Sequence, residues 1–410
     1  MKRALSVLLI LVFCCVTAGC VSFDRKDGQG DPTAQPSSAP APTETPAALP
    51  TEAPTAEPTP EPTATMLINE KIASMTMEEK VGQLLMFGFI GGDAPSAGFL
   101  NILEQYPVGN MIFYGDNIDR GDGAGGFESV RRQIALLEEQ YSCGIPRFFS
   151  VDAEGGTVVR FDWQPPLASA YMLGQGGAEA AYEQFERAAL QLRSVGVNMD
   201  LAPVLDVSPD PLSTFLGTRI ISADTDAVID IGSAVIDGLH AGGCSAVAKH
   251  FPGHGATDED SHDHTPVVNK TREELYAYDL APYAALAKSV DCVMAAHIKY
   301  PALDPDDIAS LSYPILTGIL REELGFEGVI ISDEIRMGGV TSGYTAAEAA
   351  VKFVLAGGDI LLCSADYPAQ VEVISALYSA CGDGTISQAR LDQSVYRVLY
   401  AKYACGIWAP

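Results

Sequence analysis

Apolar side chains recur along this chain in short runs of strand character. Most runs follow a segment in which apolar positions repeat at helical spacing. Strands that alternate with helices pair in parallel, and strands that are apolar on both faces belong to a sheet covered on both sides. Eight strand and helix units are the number that closes a barrel. The eight predicted strands are 85–90, 108–113, 147–152, 197–204, 245–250, 291–297, 328–333 and 358–363.

This pattern predicts an α/β protein with a (β/α)₈ TIM-type barrel. An open doubly wound sheet is the alternative fold, because it is built from the same alternation of strands and helices. Helices are expected at 179–195, 227–241, 272–287 and 346–356.

The helix before the first strand has a sequence signal for its start. It is expected to begin at Met77, because Thr76 can cap its backbone amides and Glu79 can complete a capping box. Its buried side is expected to contain Val81, Leu84 and Leu85.

The amino terminus has the charged, apolar and small-residue regions of a secretory signal. Its apolar run, 4–16, is shorter than the roughly 20 residues that a spanning helix needs. Cys20 follows small residues, as in a bacterial lipoprotein cleavage site, so residues 1–19 are expected to be removed and Cys20 to carry lipid. Cleavage without lipid attachment is the alternative. The mature protein is expected outside the cytoplasm, anchored to the cell membrane as a lipoprotein.

Residues 20–65 consist largely of Pro, Thr, Ala, Ser and Glu, and 31–65 contain no Lys or Arg. Such a segment cannot bury a core and favours extended polyproline geometry, so a disordered stalk behind the lipidated cysteine is expected. Residues 66–410 are expected to form one continuous barrel domain, monomeric and without a C-terminal sandwich domain.

Composition indicates which partners are excluded and whether disulfides are expected. The net charge of -28 repels a polyanion, which excludes nucleic acid as a partner. The six cysteines from Cys143 onward have no C-x-x-C spacing. A domain of this length does not need disulfides, so these cysteines are expected to be buried free thiols.

Five predicted strands end in polar side chains that can carry chemistry. The carboxyl ends of parallel strands meet at one rim of a barrel, where active sites lie. A single aspartate there is a helix cap about as often as a catalyst, so the convergence of several polar ends is the stronger signal. The residues are Asp152 and Glu154 after the third strand, Asp206 after the fourth, Lys249 and His250 at the fifth, His297 at the sixth and Asp333 at the seventh.

Four of the six histidines lie between His250 and His264, among several carboxylates. Such a cluster can suggest a metal site, but Pro and Gly place it on one loop, whereas metal ligands in barrels come from several strand ends or from helical spacing. Proton transfer by a histidine beside Asp260 is favoured, because an imidazole titrates near pH ~6.5 and a carboxylate can select its tautomer. No metal and no other cofactor are therefore expected.

Three motifs in this order support a family resemblance. They are Val-Asp-Ala-Glu-Gly-Gly at 151–156, Lys-His-Phe-Pro-Gly-His-Gly at 249–255 with Asp-Ser-His at 260–262, and Ser-Asp-Glu at 332–334. With these motifs, residues 75–408 resemble the family 3 glycoside hydrolases and fit their hexosaminidase branch best. Family members that act on glucosides carry their acid/base residue on a second domain. Because this chain is expected to consist of the barrel alone, its acid/base residue must come from the barrel, and a histidine there is typical of the hexosaminidase branch.

The resemblance implies a role for each motif. Asp333 is the implied nucleophile, which forms a covalent glycosyl intermediate and retains the anomeric configuration. His262 is the implied acid/base, and Asp260 orients it. His254, His297 and Asp206 are interpreted as structural. The residues implied to bind the sugar are Asp152, Arg160, Arg219, Lys249 and His250.

The expected function is therefore that of an exo-β-N-acetylglucosaminidase acting on cell-wall and peptidoglycan-derived sugars. A phosphorylase with phosphate as acceptor is one alternative, because a neutral histidine repels an anion less than a carboxylate does. A metal-dependent hydrolase built on the histidine cluster is a second, and a non-catalytic sugar-binding lipoprotein is a third.

Overall fold

The computed structural model describes residues 63–92, 94–139, 141, 143–257, 261 and 264–410. These residues contain eight strands, each parallel to its neighbours. The strands are β1 Leu85–Phe87, β2 Asn110–Phe113, β3 Phe148–Val151, β4 Met199–Asp200, β5 Ser245–Phe251, β6 Cys292–Ala295, β7 Val329–Ser332 and β8 Leu361–Cys363.

The eight strands close into a barrel. They follow one another around the sheet in chain order, and β8 pairs with β1. Between β7 and β8, Ile331 faces Ile360 in a parallel bridge, and the Ser332 amide donates to the Ile360 carbonyl over 2.9 Å. This closure confirms the predicted barrel and excludes the open doubly wound sheet.

Helices surround the barrel and cover its outer face. Two further segments, Leu275–Asp279 and Pro314–Glu323, have wider π-helical turns. The α-helices are α1 Ala64–Ser74, α2 Met77–Gln83, α3 Ala97–Gln105, α4 Phe127–Glu139, α5 Ala170–Gly176, α6 Ala178–Ser194, α7 Thr225–Ala241, α8 Arg272–Glu274, α9 Ala281–Leu286, α10 Gly338–Thr341, α11 Ala346–Ala356, α12 Tyr367–Gly382 and α13 Gln388–Ala404.

Two apolar layers explain why the strands read as continuous apolar runs. One set of strand side chains packs outward against the helices, and the alternate set fills the barrel interior. Every strand is therefore buried on both faces. Interior side chains include Met86, Ile112, Phe148, Met199, Val247, Met294, Ile331 and Leu362.

The helix before β1 begins as predicted. Thr76 accepts from the Glu79 amide and Glu79 accepts from the Thr76 amide, so the capping box is confirmed. Leu85 was expected both on the buried side of this helix and at the start of the first strand; it begins β1, so the strand prediction is confirmed there and the helix ends at Gln83. The folded part also begins slightly before the predicted boundary at 66, since α1 starts at Ala64.

The predicted helix at 272–287 is divided into α8, a π-helical segment and α9. Pro282, near the start of α9, has no amide hydrogen to continue the helical ladder. The Leu280 amide instead donates five residues back, to the Leu275 carbonyl, over 2.8 Å. The chain therefore changes its helical winding at the point where the proline removes a donor.

Two other features bear on the sequence predictions. The six cysteines from Cys143 onward are free, as predicted, but only four are buried, because Cys381 and Cys405 are half-buried. In the part of the chain that the structure describes, no helix is both long enough and apolar enough to cross a bilayer.

Candidate active site

A cavity of about 890 Å³ opens at the carboxyl ends of the strands. Its wall is formed by the residues that follow β1, β2, β3, β4, β5, β7 and β8, so almost the whole rim contributes. Asp206 and His297, which also follow predicted strands, do not line it, but every described residue that was assigned as the nucleophile or as a sugar-binding group does. The assigned residues are Asp152, Arg160, Arg219, Lys249, His250 and Asp333.

Asp260, His262 and the lipidation residue Cys20 lie outside the described residues, so their roles stay predictions. Ser261, between Asp260 and His262 in the sequence, is described. It is buried and lines the cavity. Its carbonyl accepts from the Gly339 amide over 2.9 Å, and its hydroxyl lies 3.2 Å from Nε2 of His254.

Asp152, which follows β3, is held by two cations. Oδ1 accepts from Nζ of Lys249 over 2.9 Å and Oδ2 accepts from Nη2 of Arg160 over 2.7 Å. Burial alone would raise the pKa of Asp152, but Lys249 and Arg160 outweigh burial and hold the pKa well below its ordinary value. Asp152 therefore stays ionised in the wall of the cavity.

Glu154, which was named after the third predicted strand but given no role in the site, completes this charge network. Oε1 lies 2.6 Å from Nζ of Lys249, and the Arg219 guanidinium donates to both carboxylate oxygens over 2.8 and 2.9 Å. Burial alone would raise the pKa of Glu154, but Lys249 and Arg219 lower it. The available signal was its position, two residues beyond Asp152 at the end of a predicted strand.

The glycines after Glu154 let the chain turn at this point. Gly155 and Gly156 have φ of +92° and +61°, a conformation that favours glycine. A Cβ on Gly155 would lie 2.1 Å from the Ala168 carbonyl oxygen, and one on Gly156 would lie 2.6 Å from Cβ of Ser169. Side chains at either position would push this loop away and move Glu154 with it.

His250 is fixed by a carboxylate beneath the cavity floor. Its Nδ1 lies 2.7 Å from Oδ2 of Asp206, and its Nε2 lies 3.3 Å from Nη2 of Arg219. A guanidinium can only donate, so the tautomer that fits carries its proton on Nδ1 and accepts at Nε2. Asp206 also accepts from the His254 amide over 2.6 Å. Asp206 thus holds the start of the loop after β5 in place. This is the kind of structural role that was expected from the sequence.

His254 stands between His250 and the mouth of the cavity. Burial, followed by the neighbouring His250, lowers the pKa of His254 to about 4. It is therefore neutral at physiological pH. A neutral ring suits its contacts, which are the Ser261 hydroxyl and the ring of Phe215 at 4.7 Å between centroids.

Asp333 follows β7 and faces the same cavity. Its amide donates to the Ala295 carbonyl over 3.1 Å, and its Oδ1 accepts from the Glu334 amide over 2.7 Å. Burial alone would raise its pKa, but positive charge on His250 and His297 when those rings are protonated, the Glu334 amide and the Lys249 ammonium lower the pKa below the ordinary value. The predicted alternative, a helix cap, does not apply, because the next helix, α10, is capped at Met337.

His297, which follows β6, supports the turn that carries Asp333. Its Nδ1 accepts from the Ser310 hydroxyl over 2.7 Å, and its Nε2 donates to the Glu334 carbonyl over 3.1 Å. The turn that carries Asp333 is therefore fixed from β6 as well as from its own strand.

Glu334 and Tyr114 are cavity residues that sequence reasoning did not select. Burial raises the pKa of Glu334 to about 7, although the amides of Ser364 and Arg336 donate to its carboxyl group. Burial, followed by Glu334, raises the pKa of Tyr114. Glu334 had a signal in the Ser-Asp-Glu motif, whereas nothing in the sequence distinguishes Tyr114 from other tyrosines after strands.

Within the described ranges, no three His, Cys, Asp or Glu side chains are arranged to hold a metal ion. The metal alternative was based on the histidine cluster that ends at His264, part of which lies outside those ranges. It stays an alternative for experiment.

Comparison with known proteins agrees with the motifs and the barrel. The chain matches the model of the glycosyl hydrolase family 3 N terminal domain over residues 76–401. It belongs to this family. The β-hexosaminidase of Idiomarina loihiensis is 34% identical to it, over 70% of this chain and 86% of that protein. This match places the chain in the hexosaminidase branch of family 3.

Two longer proteins are also similar to this chain. Beta-hexosaminidase A of Pseudoalteromonas piscicida is 27% identical over 80% of this chain, which spans 61% of that protein. The solved structure of a family 3 β-N-acetylglucosaminidase from a Paenibacillus species superposes with a TM-score of 0.77 at 36% identity. That match covers 82% of this chain and 64% of the Paenibacillus chain. The chain thus spans less than two thirds of both relatives.

Proposed function

We propose that this chain is a retaining exo-β-N-acetylglucosaminidase that removes terminal β-linked N-acetylglucosamine from cell-wall sugars, including peptidoglycan fragments. The observation that carries the proposal is the shared cavity. Asp333 lines it together with the charged side chains predicted to bind the sugar and with Ser261, the sequence neighbour of Asp260 and His262. The relatives named as β-hexosaminidase and β-N-acetylglucosaminidase support the same substrate class.

Asp333 has the properties that a nucleophile needs. Its lowered pKa keeps it ionised at neutral pH, and its Oδ1 is engaged by the Glu334 amide. Oδ2 has no hydrogen-bond partner among the described residues. This oxygen attacks the anomeric carbon, so that a bond from Asp333 to that carbon forms as the glycosidic bond breaks.

The proposed proton carrier is His262, oriented by Asp260. It donates a proton to the leaving oxygen in the first step and takes a proton from water in the second, when water releases the sugar from Asp333. Ser261 supports this assignment, because its backbone is bonded to Gly339, six residues after Asp333 in the chain. Because Ser261 lines the same cavity as Asp333, its sequence neighbour His262 is proposed to act within that cavity.

The proposed sugar-binding groups have hydrogen-bonding capacity left over. Lys249 uses two of its three ammonium hydrogens on Asp152 and Glu154, which leaves one for a sugar hydroxyl. Nε of Arg160 is buried with no partner among the described residues. The network thus holds these donors in place before the substrate arrives.

The proposed location is the outer surface of the cell membrane. A lipid on Cys20 would anchor the protein, and a stalk that ends before α1, in extended geometry, could reach on the order of 100 Å. An enzyme that is held at that distance can act on a thick wall without release into the medium. Lipid labelling of the full chain and of Cys20→Ser tests the anchor. An equal label on both proteins would contradict it.

Turnover by the full chain tests the proposed chemistry. A chromogenic β-N-acetylglucosaminide should be cleaved with a β-anomeric product, as proton NMR can show. Asp333→Asn should lose nearly all activity, and His262→Ala should lose on the order of 10² to 10⁴ fold. Azide should restore part of the His262→Ala rate as glycosyl azide, because azide needs no general base. Unchanged rates in either variant would contradict the assigned role.

The matched control is Glu104→Gln, an exposed carboxylate on α3 outside the cavity lining, which should leave the rate unchanged. The same assay separates the alternatives. Sugar 1-phosphate as the main product in phosphate buffer would replace hydrolysis by phosphorolysis. Loss of activity with a chelator, restored by zinc, would favour the metal-dependent hydrolase.

A further inference from the structure

The mouth of the cavity has an apolar side that the proposed chemistry does not use. Among the large apolar side chains that are exposed in the described ranges, two line this cavity, Ile90 and Phe215. Their exposed fractions are 59% and 38%. Exposed apolar surface in a pocket is most simply explained as surface that a ligand covers.

Phe215 lies outward of the catalytic rim. The ring centroids of His250 and His254 are 5.9 Å apart, and those of His254 and Phe215 are 4.7 Å apart. Exposure changes from 6% at His250 and 3% at His254 to 38% at Phe215. The three rings thus lie in contact one after another, two of them buried, and Phe215 is the one that is exposed in the cavity.

The position of Phe215 is fixed by its neighbours in the loop after β4. Leu216, the next residue, is buried at 3% exposure. Arg219, four residues from Phe215, is bonded to Glu154 through two hydrogen bonds. The phenyl ring is therefore presented to the cavity on a loop that is anchored on one side, which reduces the entropy lost when a ligand binds.

The mouth is the leaving-group side of the substrate. This step rests on the proposed function, because an exo-acting enzyme takes the terminal sugar into the closed end of its cavity. Asp333 and the charged network lie at that closed end, where the strands stop. The remainder of the saccharide must then extend past His254 toward Phe215.

Charge offers little to the leaving group here. The cations in the described part of the cavity lining are Arg160, Arg219 and Lys249, and each is paired with a buried carboxylate. Contact with an aromatic ring is available instead. A pyranose has an apolar face of C–H groups that an aromatic ring can cover, and such contact removes apolar area from water.

We propose that Phe215 is the platform of a leaving-group subsite. Its ring stacks on the C–H face of the sugar that follows the terminal N-acetylglucosamine, and it thereby makes the enzyme favour saccharide leaving groups over small ones. Phe215 acts on substrate selection and takes no part in proton transfer or in bond formation to Asp333.

Two substrates separate this role from others. A β-linked disaccharide of N-acetylglucosamine has a second sugar ring, whereas β-N-acetylglucosaminyl fluoride has none. In the full chain, Phe215→Ala should lower kcat/KM for the disaccharide by about tenfold, the usual size of one well-buried apolar contact, and leave kcat/KM for the fluoride unchanged. Phe215→Tyr should retain the wild-type values for both substrates, since its ring is preserved.

The control variant is Leu212→Ala, because Leu212 is also exposed on this loop but does not line the cavity. It should change neither rate. An equal fall for both substrates in Phe215→Ala would overturn the proposal, because the ring would then act through His254 or through folding. Unchanged rates for both would overturn it as well. A wild-type chain that cleaves neither substrate would instead remove the proposed function on which the inference rests.

Discussion

At the scale of single residues, Lys249 lies between two buried carboxylates, Asp152 and Glu154. Its side chain is 3% exposed. Burial alone would lower the pKa of Lys249, but the two carboxylates raise it. Lys249 therefore remains charged, and both carboxylates depend on it for compensation.

Lys249→Met should consequently lower the free energy of unfolding by about 3 kcal/mol, the usual effect of removing one member of a buried ion pair. Urea unfolding at neutral pH measures this change. The matched control, Lys288→Met, removes an exposed lysine and should stay within about 0.5 kcal/mol of the wild type. Equal effects of the two substitutions would contradict the network's role in stability.

Glu334 should make stability depend on pH. Burial raises its pKa from 4.5 to about 7, so between these values the folded protein keeps a proton that the unfolded chain loses. Folded protein binds more protons there, and stability from this group is therefore lost as pH rises through that range. The glutamine in Glu334→Gln does not titrate, so the variant lacks this pH dependence.

We therefore compare the free energy of unfolding of Glu334→Gln with that of the wild type at each pH. The difference, variant minus wild type, should increase by on the order of 2 kcal/mol from pH 4.5 to 7, even if the substitution also changes stability equally at every pH. Denaturant unfolding across this range gives the difference directly. Glu104→Gln serves as the exposed control and should follow the wild type. Parallel curves for Glu334→Gln and the wild type would show that Glu334 titrates as it does in water.

At the scale of elements, the turn after β3 is the segment most sensitive to an added methyl group. Gly155→Ala would place Cβ 2.1 Å from the Ala168 carbonyl oxygen at a φ of +92°. We expect it to lower the free energy of unfolding by at least about 2 kcal/mol and to reduce activity, because Glu154 moves with the turn.

Gly318→Ala is the matched control, since Gly318 lies in the helical segment Pro314–Glu323 and an added Cβ meets nothing within 4 Å. It should stabilise the protein by up to about 1 kcal/mol. Thermal unfolding and the chromogenic assay compare the two variants. Similar behaviour of both would mean that the turn after β3 tolerates a side chain.

Some elements could be predicted from local sequence and others could not. The start of α2 follows from Thr76 and Glu79, because a capping box involves only neighbouring residues. Leu85 was assigned both to the buried side of this helix and to the first strand, because an apolar residue fits a helix as well as a strand. Which of the two it joins depends on pairing with β2 and β8, which lie far away in the sequence.

At the scale of the whole molecule, the order of the strands predicted which residues lie at the same rim of the barrel. It did not predict which of these residues contact one another. Asp152 and Lys249 are 97 residues apart, and each followed a predicted strand end, so their common rim could be inferred. Their direct bond, the pairing of Glu154 with Arg219 and the position of Phe215 depend on loop paths. Loop paths are set by three-dimensional packing, which hydrophobic periodicity does not contain.

The core of the barrel is held without disulfides between the described cysteines, since all six are free. A reducing agent should therefore leave the Tm of the protein unchanged, because hydrophobic packing inside and outside the barrel supplies its stability. Differential scanning calorimetry with and without reductant checks this prediction. A lower Tm in reductant would reveal a disulfide that contributes to the fold.

The identity of the nucleophile is the claim on which the proposed chemistry depends. A fluorinated N-acetylglucosaminyl fluoride that slows breakdown of the glycosyl-enzyme should leave one sugar bound to the full chain, and peptide mass spectrometry can locate it. Attachment at Asp333 is the result that this account predicts. Attachment at any other residue, Glu334 included, or turnover with no covalent adduct, would contradict it.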